Sequence, residues 1–87
     1  MKQVFSIFLT AASNGGYTVY VPSLDINTEG SSLADAIEMA RDAIAMTVCY
    51  RQDQGEAIPT VTIVTPDVSL GLHALVDVDV DAYRRAN

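Results

Sequence analysis

The sequence contains very little cysteine and few basic residues. Its single cysteine, Cys49, has no second cysteine to pair with and cannot by itself provide a cysteine-type zinc site, so a reducing, cytoplasmic compartment is favoured. Five lysines and arginines stand against eleven acidic residues, which leaves a formal net charge of −6 at pH 7. Because such a surface repels nucleic-acid phosphates and anionic lipids, direct nucleic-acid binding by this chain alone is not expected.

The chain also has no long apolar run. No segment approaches the ~18 residues that a membrane-spanning helix needs. The run Val4–Leu9 is interrupted by Ser6 and fits a β-strand better than the apolar part of a signal peptide. With 87 residues, 49% of them hydrophobic and 18% charged, the chain can form one small core but not two. We therefore expect a single domain over residues 1–87 that has no membrane partner.

The first thirty residues contain three stretches typical of β-strands. Val4–Thr10 is rich in β-branched and aromatic residues and ends at a turn sequence with two glycines. Tyr17–Val21 alternates apolar and polar residues until Pro22, which lacks the donor that a sheet needs. Ile26–Glu29 is a short third stretch that Gly30 closes. The pattern predicts an antiparallel meander.

The next segment changes to helical spacing. Ser31 and Ser32 offer hydroxyls that can accept a hydrogen bond from the first turn of a helix. From Leu33 the apolar residues recur three and four positions apart as far as about Gln54, and Gly55 follows. The sequence predicts one long amphipathic helix that packs on one face of the sheet.

The last third of the chain returns to strand-like alternation. Thr60–Thr65 fits either a short edge strand or an extended arm, and Leu72–Asp81 fits a half-buried strand. In that strand Asp77, Asp79 and Asp81 face outward. The predicted fold is α+β, with a three- or four-stranded, mainly antiparallel sheet and one long helix on one face, in the order β-β-β-α-β.

No pattern of catalytic or metal-binding residues accompanies this fold. Residues two apart on a strand are about 6.6 Å apart, so Asp77, Asp79 and Asp81 do not converge easily on one ion, and we interpret them as a solvated acidic face. His73 and Cys49 have no neighbouring base, nucleophile or second ligand in the sequence. A metal-dependent nuclease is disfavoured because Val4–Thr10 contains no carboxylate. We expect no enzyme activity, no cofactor and no metal.

Three motifs in order give the chain a family resemblance. Gly15–Leu24, Thr28–Ile37 and Gly55–Pro59 together resemble the HicB antitoxin family. The resemblance implies a partial RNase H-like domain that binds and neutralises a HicA toxin, a small basic mRNA-cleaving protein, by occluding its active or RNA-binding surface. Many members carry a C-terminal helix-turn-helix or ribbon-helix-helix segment. This chain ends at Asn87 without one, which puts operator DNA binding in doubt.

Two contact surfaces are predicted. An acidic surface would meet the basic toxin through five residues: Asp25, Glu29, Asp77, Asp79 and Asp81. Otherwise the acids of the long helix would do so: Asp35, Glu38 and Asp42.

The long helix has extra apolar residues beside its core stripe, which fit either a wide core face or a subunit contact. The subunit contact would make a homodimer or larger oligomer through Met39, Met46, Tyr50, Val61 and Ile63. The alternative function is a free-standing oligomeric module that binds another protein or a small ligand without a toxin.

Overall fold

Four strands and two helices build the part of the chain that the computed structural model describes, residues 2–86. In chain order they are β1 (Lys2–Ala11), β2 (Tyr17–Val21), β3 (Ile26–Gly30), α1 (Leu33–Asp53), β4 (Leu72–Asp79) and α2 (Val80–Ala86). The strands form one sheet in the order β3-β2-β1-β4, and every neighbouring pair is antiparallel. The α+β prediction is confirmed, with four strands in the sheet and a second helix that was not predicted.

The β1–β2 hairpin turns at the predicted Asn-Gly-Gly sequence. Asn14 Oδ1 accepts a hydrogen bond of 3.0 Å from the Gly16 N–H, and Gly15 adopts a φ of 89°, where a residue without Cβ carries little strain. The turn sets Leu9 opposite Val19 and Phe8 opposite Tyr20. Leu9 and Val19 therefore point to the face that α1 covers, and Phe8 and Tyr20 point to the other face.

Helix α1 begins with a reciprocal cap. The Asp35 N–H donates to Ser32 Oγ at 3.1 Å, and Asp35 Oδ2 accepts from the Ser31 N–H at 2.8 Å. The helix packs small residues such as Ala36 and Ala40 against the sheet, and both are fully buried. These small side chains bring the helix close to β3, where Gly30 meets the helix backbone. The predicted start at Leu33 is confirmed, and the helix ends one residue before the predicted position.

The chain leaves β4 earlier than the alternating sequence predicted. β4 ends at Asp79 and α2 begins at Val80, so the strand does not continue to Asp81. Asp79 Oδ1 accepts a 3.0 Å hydrogen bond from the Ala82 N–H, as an N-cap residue does. Asp81 consequently lies in the first turn of a helix, and its assignment to the acidic strand face is wrong.

The segment between α1 and β4 is an extended arm and not a strand of the sheet. β2 pairs with β1 only from Phe8 to Ala11, and the arm lies beside the part of β1 that β2 does not reach. The Ser6 N–H donates to Thr62 O at 2.8 Å, and Thr62 Oγ1 donates to Val4 O at 2.6 Å. Of the two predicted possibilities, the extended arm is correct.

A small buried cluster occupies the sheet face opposite α1. Ser6 and Phe8 are both buried there, although α1 does not cover them. Ser6 Oγ accepts a 2.9 Å hydrogen bond from the Val64 N–H of the arm and lies 2.8 Å from His73 Nε2. The rings of Phe8 and His73 are 5.0 Å apart. Hydrogen bonds to Ser6 therefore hold the arm on the sheet, and the Phe8 and His73 rings pack beside them.

Candidate functional site

An acidic groove lies between α1 and β4, along the edge of the sheet. Residues of α1, β4 and α2 form its walls: Glu38, Met39, Arg41, Asp42, Ala45, Asp77, Val78, Asp79 and Tyr83. Four carboxylates and one guanidinium line the groove, and apolar side chains lie between them. Such a surface attracts basic partners that also carry apolar contact residues.

Arg41 joins the two walls of this groove. Its Nη1 donates to Glu38 Oε1 at 2.6 Å, and its Nη2 donates to Asp77 Oδ1 at 3.2 Å. Its Nε also donates to the Asp77 main-chain oxygen at 3.1 Å. The single cation is thus shared between α1 and β4, and it orients Glu38 and Asp77 without neutralising the whole groove.

The two β4 carboxylates of the groove are held in their ionised forms. A hydrogen bond from its own backbone N–H and then the Arg41 guanidinium lower the pKa of Asp77 below its ordinary value. The hydrogen bond from the Ala82 N–H lowers the pKa of Asp79 in the same direction. Both side chains therefore carry negative charge at neutral pH, and both also have structural partners.

The structure separates the five acids that the sequence grouped into one partner surface. Asp77 and Asp79 line the groove, while Asp81 lies on α2. Asp25 and Glu29 lie at or next to β3, which forms the opposite edge of the sheet. Since neighbouring strands are about 4.8 Å apart, the two edges are separated by three such spacings, and the five acids do not share one edge.

The β3 side has its own polar contacts. Asp25, in the turn before β3, has a φ of 52° and accepts a 3.1 Å hydrogen bond from the Tyr20 hydroxyl at Oδ1. This hydrogen bond raises the pKa of Tyr20, because a phenolate would face the Asp25 carboxylate. Asp25 thus has a local structural role.

Glu38, Asp42 and Tyr83 belong to the groove. Glu38 and Asp42 were predicted only as alternative contact acids, together with Asp35, which does not line this groove, and Tyr83 was not predicted. Glu38 and Asp42 are one helical turn apart, a spacing that places them on one side of α1. That signal was present in the sequence. Tyr83 was hidden by the missed helix α2.

The apolar residues predicted for a subunit contact lie on two different elements. Met39, Met46 and Tyr50 are on the side of α1 that faces away from the core, and all three are exposed, so the wide-core-face interpretation is wrong. Val61 and Ile63 lie on the extended arm and are exposed as well.

Residues 2–86 contain neither a cluster of metal-ligating side chains nor a helix that could cross a membrane. No three His, Cys, Asp or Glu side chains in this part of the chain lie close enough together to hold a metal ion. None of its helices combines the length and the apolar character that crossing a membrane requires.

A sheet of this topology, with a long helix on one face, occurs in a solved antitoxin structure. The chain is similar to the crystal structure of the N-terminal domain of Burkholderia pseudomallei antitoxin HicB, with a TM-score of 0.76 and 26% sequence identity. The similarity covers 88% of this chain and 99% of that one. The chain has a HicB-like antitoxin fold.

The HicB-like fold confirms the family resemblance of the sequence motifs. No family model and no curated protein matches the sequence. The likeness to the HicB domain supports an antitoxin role in general, and it favours a non-enzymatic function. In this HicB-like fold, the acidic groove lies between the helices and the sheet.

Proposed function

We propose that this HicB-like domain is an antitoxin that binds a HicA-type mRNA-cleaving toxin and covers its active or RNA-binding surface. The likeness to the HicB N-terminal domain carries the proposal, and the acidic groove supports it. A protein that binds RNA needs a positive surface for the phosphates. An acidic protein competes for that surface without performing any chemistry.

The groove suits this role because charge and apolar contacts alternate within it. Complementary charges raise the association rate and select the partner. Met39 and Tyr83 add apolar surface, which supplies the less salt-sensitive part of an interface. Asp42 is exposed on the α1 wall and is the most direct probe of the groove.

The first experiment tests the function as a whole. A HicA-type toxin is purified, and its RNA cleavage is measured with and without the HicB-like chain. We expect inhibition at an equimolar ratio and no RNA cleavage by the HicB-like chain alone. Absence of binding to any such toxin, or cleavage by the chain itself, would contradict the proposal.

A pair of charge-reversal variants tests the groove. Asp42→Lys places a cation in the groove, and Glu56→Lys makes the same charge change at an exposed site just beyond α1. We expect Asp42→Lys to lower the association rate with the toxin about tenfold at low salt, because it opposes the basic partner directly. Glu56→Lys should change the association rate much less. Equal effects of the two variants would indicate that the toxin does not bind at the groove.

Charge reversal of the β4 acids would test the groove less cleanly. Asp77 holds Arg41 and Asp79 caps α2, so lysine at either position would disturb the fold as well as the surface. These two carboxylates are therefore more than the solvated acidic face that the sequence indicated.

A further inference from the structure

An apolar ridge runs along the side of α1 that faces away from the sheet. The residues of this α1 ridge follow one another at steps of four, three and four positions: Met39, Ala43, Met46 and Tyr50. At about 100° per residue they fall within an arc of roughly 60° and extend over about three helical turns. Met46 and Tyr50 are 57% and 61% exposed, so no other element of residues 2–86 covers this part of the helix.

The spacing of the α1 ridge fits another helix. In knobs-into-holes packing, a side chain of one helix enters a hole formed by four residues of its neighbour, at positions i, i+3, i+4 and i+7. On α1 these positions are occupied by Met39, Asp42, Ala43 and Met46. The small Ala43 leaves room for an apolar side chain between the two methionines, and methionine adapts its shape to what it contacts.

Acidic side chains follow one flank of the α1 ridge. Asp35 and Asp42 are seven positions apart and lie within about 40° of the ridge on the same side. The arginines of α1 are directed elsewhere, since Arg41 reaches β4 and Arg51 reaches the turn before β3. Charges beside the apolar stripe of a helix pair select its partner. The α1 ridge therefore favours a helix that carries lysine or arginine beside its own apolar stripe.

A second copy of this chain does not match the α1 ridge in charge. Two identical helices that pack antiparallel about a two-fold axis bring the same flank of each together, so Asp35 and Asp42 would face the same acids of the other copy. Each copy also has a net charge of −6. A basic helix is attracted by the same carboxylates.

The α1 ridge is continuous with the acidic groove. Met39 lines the groove and is also the first residue of the ridge, and Asp42 lies between the two surfaces. A partner that binds in the groove therefore reaches the ridge within the same interface. Apolar side chains in the middle of an interface contribute binding energy that acids at its rim do not supply.

We propose that a basic amphipathic helix of the toxin docks along the α1 ridge, with its apolar residues on the ridge and its lysines or arginines beside Asp35 and Asp42. The inference rests on the proposed antitoxin function and names the element of the partner that this surface takes. About 12 residues of such a helix are long enough to cover the ridge.

Two lysine variants test the α1 ridge. Met46→Lys places a cation in the middle of the ridge, and Ile63→Lys makes the same charge change at a residue of similar exposure, 53%, on the extended arm. We expect Met46→Lys to raise the dissociation constant of the complex with a purified HicA-type toxin at least about tenfold, and Ile63→Lys to change it less than about twofold. Circular dichroism of both variants checks that the fold is intact.

The outcomes distinguish this inference from the proposed function. If the unchanged protein inhibits the toxin and Met46→Lys binds it equally well, the α1 ridge is not the docking surface, although the antitoxin role stands. If the unchanged protein does not bind the toxin, both are wrong. If Met46→Lys dissociates a dimer of this chain and leaves toxin binding unchanged, the ridge contacts a second copy and the inference is overturned.

Hydrogen exchange of the toxin identifies the docked element. In the complex we expect new protection in a toxin helix that has apolar residues three and four positions apart and lysine or arginine beside them. Met46→Lys should remove this protection at concentrations at which Ile63→Lys retains it. Protection confined to strands or loops of the toxin would overturn the inference.

Discussion

Ser6 is a polar residue at a fully buried position of the sheet. Its hydroxyl accepts from the Val64 N–H and lies within hydrogen-bond distance of His73 Nε2. A buried hydroxyl is tolerated when its hydrogen bonds are made, and here it also satisfies a backbone N–H of the arm. Ser6 therefore links β1, β4 and the arm through one side chain.

Loss of the Ser6 hydroxyl should lower the stability of the fold. Ser6→Ala leaves the Val64 N–H without its acceptor, so we expect the free energy of unfolding to fall by about 1 to 3 kcal/mol. Ser69→Ala removes a hydroxyl that bonds Asp67 in an exposed turn and should cost less than about 0.5 kcal/mol. Urea unfolding measures both values, and amide exchange at Val64 should accelerate only in Ser6→Ala. Equal costs would contradict the role assigned to Ser6.

Gly30 allows β3 and α1 to approach each other. A Cβ on Gly30 would collide with the backbone nitrogen of Ala36, which no side-chain rotation can relieve. We expect Gly30→Ala to lower the free energy of unfolding by about 3 kcal/mol. At Gly55 a Cβ meets open space and only the φ of 71° opposes it, so Gly55→Ala should cost about 1 kcal/mol. Thermal or urea unfolding that ranks the two variants in the reverse order would refute the packing argument.

At the scale of elements, the first three strands and α1 were predictable because each has a clear local signal. The Asn-Gly-Gly turn and Pro22 delimit the strands, and Ser32 and Gly55 flank the helix. The β4–α2 boundary was not found, since Val80 is buried in either structure and continues the alternating pattern. An acid in the first turn, Asp81, and two arginines in the last turn did signal a helix.

The site was less predictable than the fold, because it depends on which elements become neighbours. Asp77 and Asp42 meet across the groove although 35 positions separate them in the sequence. Periodicity gives the face of each element, but it does not give the strand order. Once β4 was known to pair with β1 at one edge, the acids of β3 and β4 could not form one surface.

The cap at the start of α2 leads to an element-scale prediction. Asp79→Ala removes the acceptor of the Ala82 N–H, so α2 should fray and its amides should exchange several-fold faster. Asp79→Asn keeps a side-chain oxygen and should retain most of the protection. Hydrogen exchange of residues 82–86 in both variants measures the difference. Unchanged protection in Asp79→Ala would mean that the contact between Arg84 and Asp53 holds α2 without the cap.

At the scale of the whole molecule, the few basic residues are mostly tied to local acceptors. Lys2 and Arg41 contact Asp77, Arg84 contacts Asp53, and Arg51 reaches a main-chain oxygen. The net charge of −6 therefore leaves a mainly negative surface, on which few basic side chains are free of a local partner. A field of this kind acts at long range on a basic partner and is screened by salt.

The proposed toxin contact should consequently respond strongly to salt. Raising NaCl from about 0.02 M to about 0.5 M shortens the Debye length several-fold, so the association rate with a basic toxin should fall at least about tenfold. Stopped-flow association over this range of salt concentrations measures the response. An association rate that does not change with salt would show that the net negative charge does not steer the basic partner to this protein.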